Sequence, residues 1–481
     1  MPQGVYCLKV HILVDFGSTY TKVTAVDLDS ETVVGRAQSP TTVETDISIG
    51  LDKALGELRR ACGLNENEIC GRYASSSAAG GLKMAAIGLV PDLTLSAARR
   101  AALGAGAKVV CSYGFEIDKI IVKEIEEKNC DIVMLCGGTD GGNKNVILHN
   151  AGMLSKSQIN CPILVCGNRV VSEQIREMLE QAGKRTYVTD NVLPSVNEVD
   201  IEPAQGRIRE IFIEHIIKAK GLDRVKDYFD NAVMPTPKAS LTAAELLADG
   251  TKNEPGIGSL LVVEVGGATT NIHSVTNITP FTPDTVVRGL PESRVGRTVE
   301  GDLGIRYNAR TILDFVGAER LEFLAKRIAP DLQAIDPDAY TSLLHSNVEY
   351  IPQNIHESIM DIALASSSVN IAVERHAGRL KTEFSAIGEI HIQYGKNLIE
   401  AENILGTGGI FKYGAKPETV LGAALFSEKT PWSLKPRAPK AYLDADYLLY
   451  ATGLLSQVNP DAALRIMKKH LKPVTLEGVQ L

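Results

Sequence analysis

The chain lacks any uninterrupted run of about 20 apolar residues, the length that spans a bilayer, so no membrane-spanning helix and no membrane partner are expected. It begins Met1-Pro2-Gln3-Gly4, without a charged segment leading into an apolar core and a small-residue cleavage site. The apolar run that follows is broken by Lys9, His11 and Asp15. No secretory signal is read there, and a cytoplasmic location is the expectation. An excess of positive charge is also missing: 50 Lys and Arg face 58 Asp and Glu, a net charge of -8. That argues against a nucleic-acid partner, which rewards a basic surface. There is no CxxC pair among the 8 cysteines, all of which fall between Cys7 and Cys166. Cys130, Cys136, Cys161 and Cys166 sit in or beside apolar runs, where thiols act as small buried hydrophobes. Reduced core thiols are expected rather than a metal or cluster site.

A length of 481 residues exceeds what one compact core holds, and two or three domains are expected. Strands alternate with helices. Val10 to Asp15 and Thr21 to Asp27 read as strands. Ile47, Leu51, Leu55 and Leu58 recur at helical steps, and Gly63 is placed to end that helix. A βαβ series follows through Asp131 to Cys136 and Pro162 to Cys166, which points to a mainly parallel sheet covered on both faces. The Pro-bearing stretch from Met234 and the polar stretch Asp249 to Gly258 read as linkers. The expected division is a first domain over 1–235, a linker region over 236–258, a second domain over 259–435 and a C-terminal helical segment over 436–481. Within that last segment, Asp444 to Leu471 reads as a helical hairpin turning at Asn459-Pro460-Asp461.

Two short stretches repeat one another. The first is Asp15-Phe16-Gly17-Ser18-Thr19-Tyr20-Thr21-Lys22. The second is Glu264-Val265-Gly266-Gly267-Ala268-Thr269-Thr270-Asn271. Each has an acid at the end of an apolar strand, a Gly two residues later and a Thr six later. A tight turn of small residues turns several backbone N–H groups to one side and makes an anion site. Glycine removes the Cβ that would hold a phosphate off the backbone. The acids cannot bind phosphate, but Asp15 and Glu264 can hold a hydrated Mg²⁺ through its water. Lys22 supplies a point charge for terminal phosphates. A third Gly-rich element, Gly406-Thr407-Gly408-Gly409, follows a strand near Asn403 to Leu405 and would let backbone lie against a flat base or ribose.

Other candidates are weighed beside these. Gly137-Gly138-Thr139-Asp140 ends a buried strand in a Gly-rich turn; Asp140 is either a group near the γ-phosphate or an Asx turn bonded to nearby backbone. Glu300 and Asp302 read as a solvated loop before they read as a water- or metal-holding pair. His273 reads as structural. His376 sits near a helix end where a cation would complement the dipole.

The three Gly-bearing elements, in this order, resemble the phosphate-1, phosphate-2 and adenosine motifs of the actin-like ATPase superfamily. That resemblance implies an α/β fold of two ribonuclease-H-like domains with Mg-ATP in the cleft between them, plus the C-terminal helical hairpin. It places Asp15 and Glu264 beside the metal; the expected catalytic residues are these two and, from its Gly-rich turn, Asp140. The superfamily usually has Asp where Glu264 stands. Within it, Asp15 to Lys22, LCGGTDGGN (Leu135 to Asn143), VGGATTNIHS (Val265 to Ser274), RTVEGDLGIR (Arg297 to Arg306) and Gly406 to Gly409 look like the MutL-type accessory protein of glutamate (methylaspartate) mutase. This resemblance covers nearly the full chain. It implies an ATP-dependent reactivating chaperone for an adenosylcobalamin-dependent mutase, either glutamate mutase or a related aminomutase, which exchanges damaged cobalamin for intact cofactor. A homodimer is compatible with it. The alternatives are a small-molecule kinase of the same fold, an ATP-driven iron–sulfur electron activator, and a module that binds ATP without turning it over.

Overall fold

The structure is a computed structural model that describes residues 9–17, 20–42, 46–76, 82–105, 107–196, 198–212, 226–231, 233–331, 335–385 and 388–476. Val10–Phe16 is buried at every position but His11, as expected of a strand covered on both faces. It pairs antiparallel with Tyr20–Asp27, with Asp15 opposite Lys22. Thr32–Pro40 extends the meander. On the other side Ile69–Ser76 lies parallel to the first strand, and the short Met234–Pro235 lies parallel to that. Numbered within the sheet, the spatial order is 5-4-1-2-3.

The second half repeats this plan. Leu260–Val265 pairs antiparallel with Thr270–Val275, and Val295–Glu300 follows. Asn403–Gly408 runs parallel to the first of these strands, and Lys440–Leu443 runs parallel beyond it. The order is again 3-2-1-4-5, with Lys472–Val474 added antiparallel at the edge. Two copies of one mixed-sheet topology make this an α/β protein of the actin-like ATPase fold, built from two ribonuclease-H-like domains.

Each copy carries an insertion. Between the fourth and fifth strands of the first lies a separate all-parallel sheet of Leu82–Gly88, Ala107–Gly114, Ile132–Leu135, Ile163–Val165 and Thr186–Val188. Its order is 2-1-3-4-5, the flavodoxin-like doubly wound order. The βαβ series read from the sequence is therefore a module of its own rather than the body of the first domain. The second copy carries a group of helices, including Ile355–His376, and a three-stranded sheet of Val286–Arg288, Gly388–Tyr394 and Arg379–Ser385.

The segment over 236–258 opens as a helix, Thr236–Asp249, with a proline in its first turn, where no N–H is needed. It packs against Leu449–Leu455 between the two main sheets. Leu13 and Val26 from the first sheet, Leu260 and Val262 from the second, and Ala243, Ala244, Ala451 and Leu454 from these helices form one buried cluster. The two domains thus share a core across the cleft floor. Lys440–Leu443 belongs to the second sheet, so the C-terminal segment is strand first and helical after. Asn459 caps the helix Pro460–His470 by accepting from the Ala462 N–H. Among the described residues no helix is long and apolar enough to cross a membrane.

Candidate functional site

The two repeated hairpins close alike. The Gly17 N–H donates to the Tyr20 carbonyl at 3.1 Å, and the Gly266 N–H donates to the Thr269 carbonyl at 2.9 Å. A Cβ on Gly17 would meet the Tyr20 carbonyl oxygen at 2.6 Å, so only glycine fits this closure. Both turns face one cavity of about 900 Å³, lined by Asp15, Gly17 and Lys22 from the first domain and by Glu264 and Gly266 to Thr269 from the second. Gly409 lines it from the third element, and a Cβ there would meet nothing within 4 Å.

Asp15 is buried at 1% exposure. Its Oδ1 accepts from the hydroxyls of Ser75 at 3.1 Å and Thr236 at 2.5 Å, and its Oδ2 lies 3.6 Å from Lys22 Nζ. Burial pushes its carboxyl above the ordinary range, and the Lys22 charge and the two hydroxyls oppose that. Glu264 differs. Burial also works against its charge, but a hydrogen bond and charge from His273, a bond from Asn271 and the Arg297 charge outweigh it and hold the carboxyl below its usual value. Asn271 Nδ2 donates to Glu264 Oε2 at 3.1 Å, and His273 Nε2 lies 3.3 Å from the same oxygen. Burial lowers the pKa of His273, with Glu264 opposing, and drops the Arg297 guanidinium to about 9, again against Glu264. Arg297 remains a cation at neutral pH.

The donor set fits a magnesium–triphosphate group. Two carboxylates stand near matching strand ends, and hydrated Mg²⁺ is usually held by one or two carboxylates. Lys22, Arg297, Arg306 and Lys412 line the same cavity. Arg297 Nε and Asn271 Oδ1 are buried polar atoms without a protein partner, and both residues border it. Buried polar atoms are rarely left so. Among the described residues no group of three or more His, Cys, Asp and Glu could hold a metal ion.

A family model described as MutL protein matches residues 11–471. The chain belongs to the MutL protein family. Protein MutL of Clostridium tetanomorphum is 42% identical over 467 residues, covering 97% of this chain and 100% of that one. Among solved structures, a nucleotide-free acetone carboxylase is similar at 11% identity and a TM-score of 0.37, covering 93% of this chain and 70% of its own. The xylulose kinase of Bifidobacterium adolescentis is similar at 12% identity and a TM-score of 0.32, covering 98% of this chain and 97% of its own.

Within this MutL-family chain the sequence candidates divide. Asp15, Gly17, Lys22, Glu264, Gly266, Gly267, Ala268, Thr269 and Gly409 meet at the cavity. Ser18 and Thr19 lie outside the described residues. Thr21 and Thr270 are fully buried behind the turns; Thr21 bonds Thr41, and Thr270 donates to the Leu303 carbonyl at 2.8 Å. Gly406, Thr407 and Gly408 are not a turn after the strand but its last residues. The Gly406 position packs on the Phe411 ring, and a Cβ on Gly408 would meet the Val265 carbonyl oxygen at 2.2 Å. Thr407 donates to Asp444 at 2.9 Å.

Gly137, Gly138, Thr139 and Asp140 stand at the end of Ile132–Leu135 in the inserted parallel sheet, and none of them lines the cavity. Asp140 Oδ1 accepts from the Arg169 backbone N–H at 3.0 Å and from Asn191 Nδ2 at 2.9 Å. Glu300 and Asp302 both pair with Arg375. His376 is no helix-end cation: it is enclosed between the hydroxyls of Ser274 at 2.8 Å and Thr298 at 3.1 Å, and burial, then Lys396, holds its pKa well below the usual value. Of the cavity's residues, Asn271, Arg297, Arg306 and Tyr447 were not singled out by sequence. Asn271 stands two residues before His273 on the strand after the second turn, on the same face, and that spacing is a local signal that could have found the first of these.

Proposed function

We propose that this MutL-family protein is a Mg-dependent ATPase that reactivates an adenosylcobalamin-dependent mutase, glutamate mutase or a related aminomutase, by letting it exchange damaged cobalamin for intact cofactor. The observation that carries the ATPase reading is the convergence of two hairpins of like sequence and like closure on one cavity at the domain interface. Family membership carries the accessory role. Bound Mg²⁺ would supply charge neutralisation across the β- and γ-phosphates. Asp15 and Glu264, which both line the cavity, would hold its water shell; Asn271 and His273 engage one Glu264 oxygen, Oε2. Gly17 and Gly266 close the two turns that line the cavity and leave no Cβ there, and Lys22 and Arg297 would oppose the phosphate charge. An ionised Glu264 would orient an attacking water by accepting its hydrogen bond.

Nucleotide can drive the partner only through differential affinity: the closed and open forms must hold the mutase differently. Two domains that share a helical floor and separate phosphate turns form such a two-state element. The test inactivates a candidate mutase with hydroxocobalamin, then adds this protein, Mg-ATP and fresh adenosylcobalamin. Recovery that needs both ATP and this protein is expected. No recovery with glutamate, methyleneglutarate or amino-acid mutases would remove the reactivation reading, while ATP hydrolysis measured in parallel reports on the ATPase reading separately.

A further inference from the structure

Lys22 is the lysine of the first phosphate turn, yet its ammonium is placed by a residue from the far end of the chain. Lys22 Nζ lies 3.7 Å from the centroid of the Tyr447 ring and 3.6 Å from Asp15 Oδ2. Tyr447 lines the cavity with Asp15, Lys22 and Glu264. It holds a left-handed backbone, φ 56°, which is uncommon for a bulky residue and clusters at functional sites.

Its surroundings fix it in that conformation. Asp444 is fully buried and accepts from the backbone N–H groups of Leu448 at 2.7 Å and Leu449 at 3.0 Å. The Thr407 hydroxyl, at the end of a second-domain strand, donates to the same carboxylate. One turn on, Tyr450 shares a hydrogen bond with Thr24 of the first sheet at 3.0 Å. The backbone that carries the ring is thus tied to both domains at once. A cation over an aromatic face is attracted by the ring quadrupole, more strongly where water is excluded.

We propose that Tyr447 is a positioning residue that holds Lys22 at the phosphate end of the cleft, so that the C-terminal segment completes the nucleotide site. This rests on the ATPase reading above. Closure or opening of the two domains shifts the Tyr447 brace, and with it the lysine.

The experiment measures Mg-ATP binding and hydrolysis in the full chain, with thermal melting as a check on folding. Tyr447→Phe keeps the ring and is expected to stay within about twofold of wild type, whereas Tyr447→Leu loses the cation–ring attraction and weakens Mg-ATP binding by about tenfold. In a Lys22→Met background Tyr447→Leu has no further effect, because the interaction it removes is already gone. Equal losses from Tyr447→Leu with and without Lys22, or Tyr447→Phe as weak as Tyr447→Leu, would overturn the proposal while leaving the ATPase reading in place. A wild-type protein that binds no Mg-ATP would overturn both.

Discussion

Asp15 and Glu264 occupy the same place in two copies of one hairpin, each at the end of a central strand, and their carboxyls are tuned in opposite directions. Asp15 is raised by burial and bonded by hydroxyls. Glu264 is held ionised by His273, Asn271 and Arg297 in spite of burial. The extra methylene of Glu264 is what lets its Oε2 reach both Asn271 and His273 on the adjacent strand.

Asp15→Asn separates charge from shape. The amide keeps an oxygen for the Ser75 and Thr236 hydroxyls, while a desolvated charge disappears. Burial outweighs the Lys22 charge and the two hydroxyls and makes this charge unfavourable in the folded chain, so the melting temperature should hold or rise. Mg-ATP turnover should fall by about 10²-fold or more, as when a preorganised electrostatic group is lost. Steady-state hydrolysis beside a melting curve reads both, and unchanged turnover would place the metal elsewhere.

Asp140 gives the complementary outcome. Its carboxylate fastens a loop of the inserted sheet to the Arg169 N–H and Asn191, away from the cavity. Asp140→Ala should cost about 1–3 kcal/mol of stability through unsatisfied donors and leave Mg-ATP turnover within about twofold of wild type. A loss of turnover without a loss of stability would return Asp140 to the catalytic role that its Gly-rich setting implies.

The acid side of the stability profile follows from two histidines. His273 and His376 are both lowered by burial, so below about pH 6.5 the unfolded chain binds protons that the folded chain refuses. Their stabilising contribution is present above the unfolded pKa and lost as pH falls, with a slope of up to about 1.4 kcal/mol per pH unit for each. Asp15, raised by burial, acts with the opposite sign. The clean reading is therefore a difference: His376→Gln can still bond Ser274 and Thr298, and its melting temperature should fall less steeply from pH 7 to 5.5 than that of wild type. Parallel curves would mean His376 titrates normally.

The repeated hairpins were legible because everything they need is local: an apolar strand, small residues where a Cβ would strike the Tyr20 carbonyl, and an acid at the strand end. Gly406 to Gly408 misled because glycine runs usually mark turns, whereas here tertiary contact sets their place. Gly408 lies against the Val265 carbonyl and Gly406 under Phe411, and both stay in the strand. The helix Thr236–Asp249 hid behind prolines that sit at its harmless first turn. The Pro162 to Cys166 run and its neighbours read correctly as parallel strands, but sequence order cannot say that they form a sheet apart from Val10–Phe16. Tyr447 and Arg297 reach the cavity from elements remote in sequence, which no local pattern encodes.

The shared helical floor offers the last prediction. Gly453 lies in Leu449–Leu455, and a Cβ there would meet the Ala239 carbonyl oxygen at 2.0 Å. That oxygen is backbone and cannot step aside, so the two helices would have to part. Gly453→Ala should destabilise by about 1–3 kcal/mol as an overpacked contact, against the gain of up to about 1 kcal/mol that alanine normally brings to a helix. The control is Gly56, in the helix Ile47–Cys62, where a Cβ meets nothing within 4 Å; Gly56→Ala should stabilise by about 0.5–1 kcal/mol. Denaturant unfolding separates the two. Because Tyr447 and Asp444 lie at the start of the same C-terminal segment, Gly453→Ala should also weaken Mg-ATP binding where Gly56→Ala does not. Opposite signs of stability change with equal nucleotide affinity would show that the floor holds the domains together without setting the cleft.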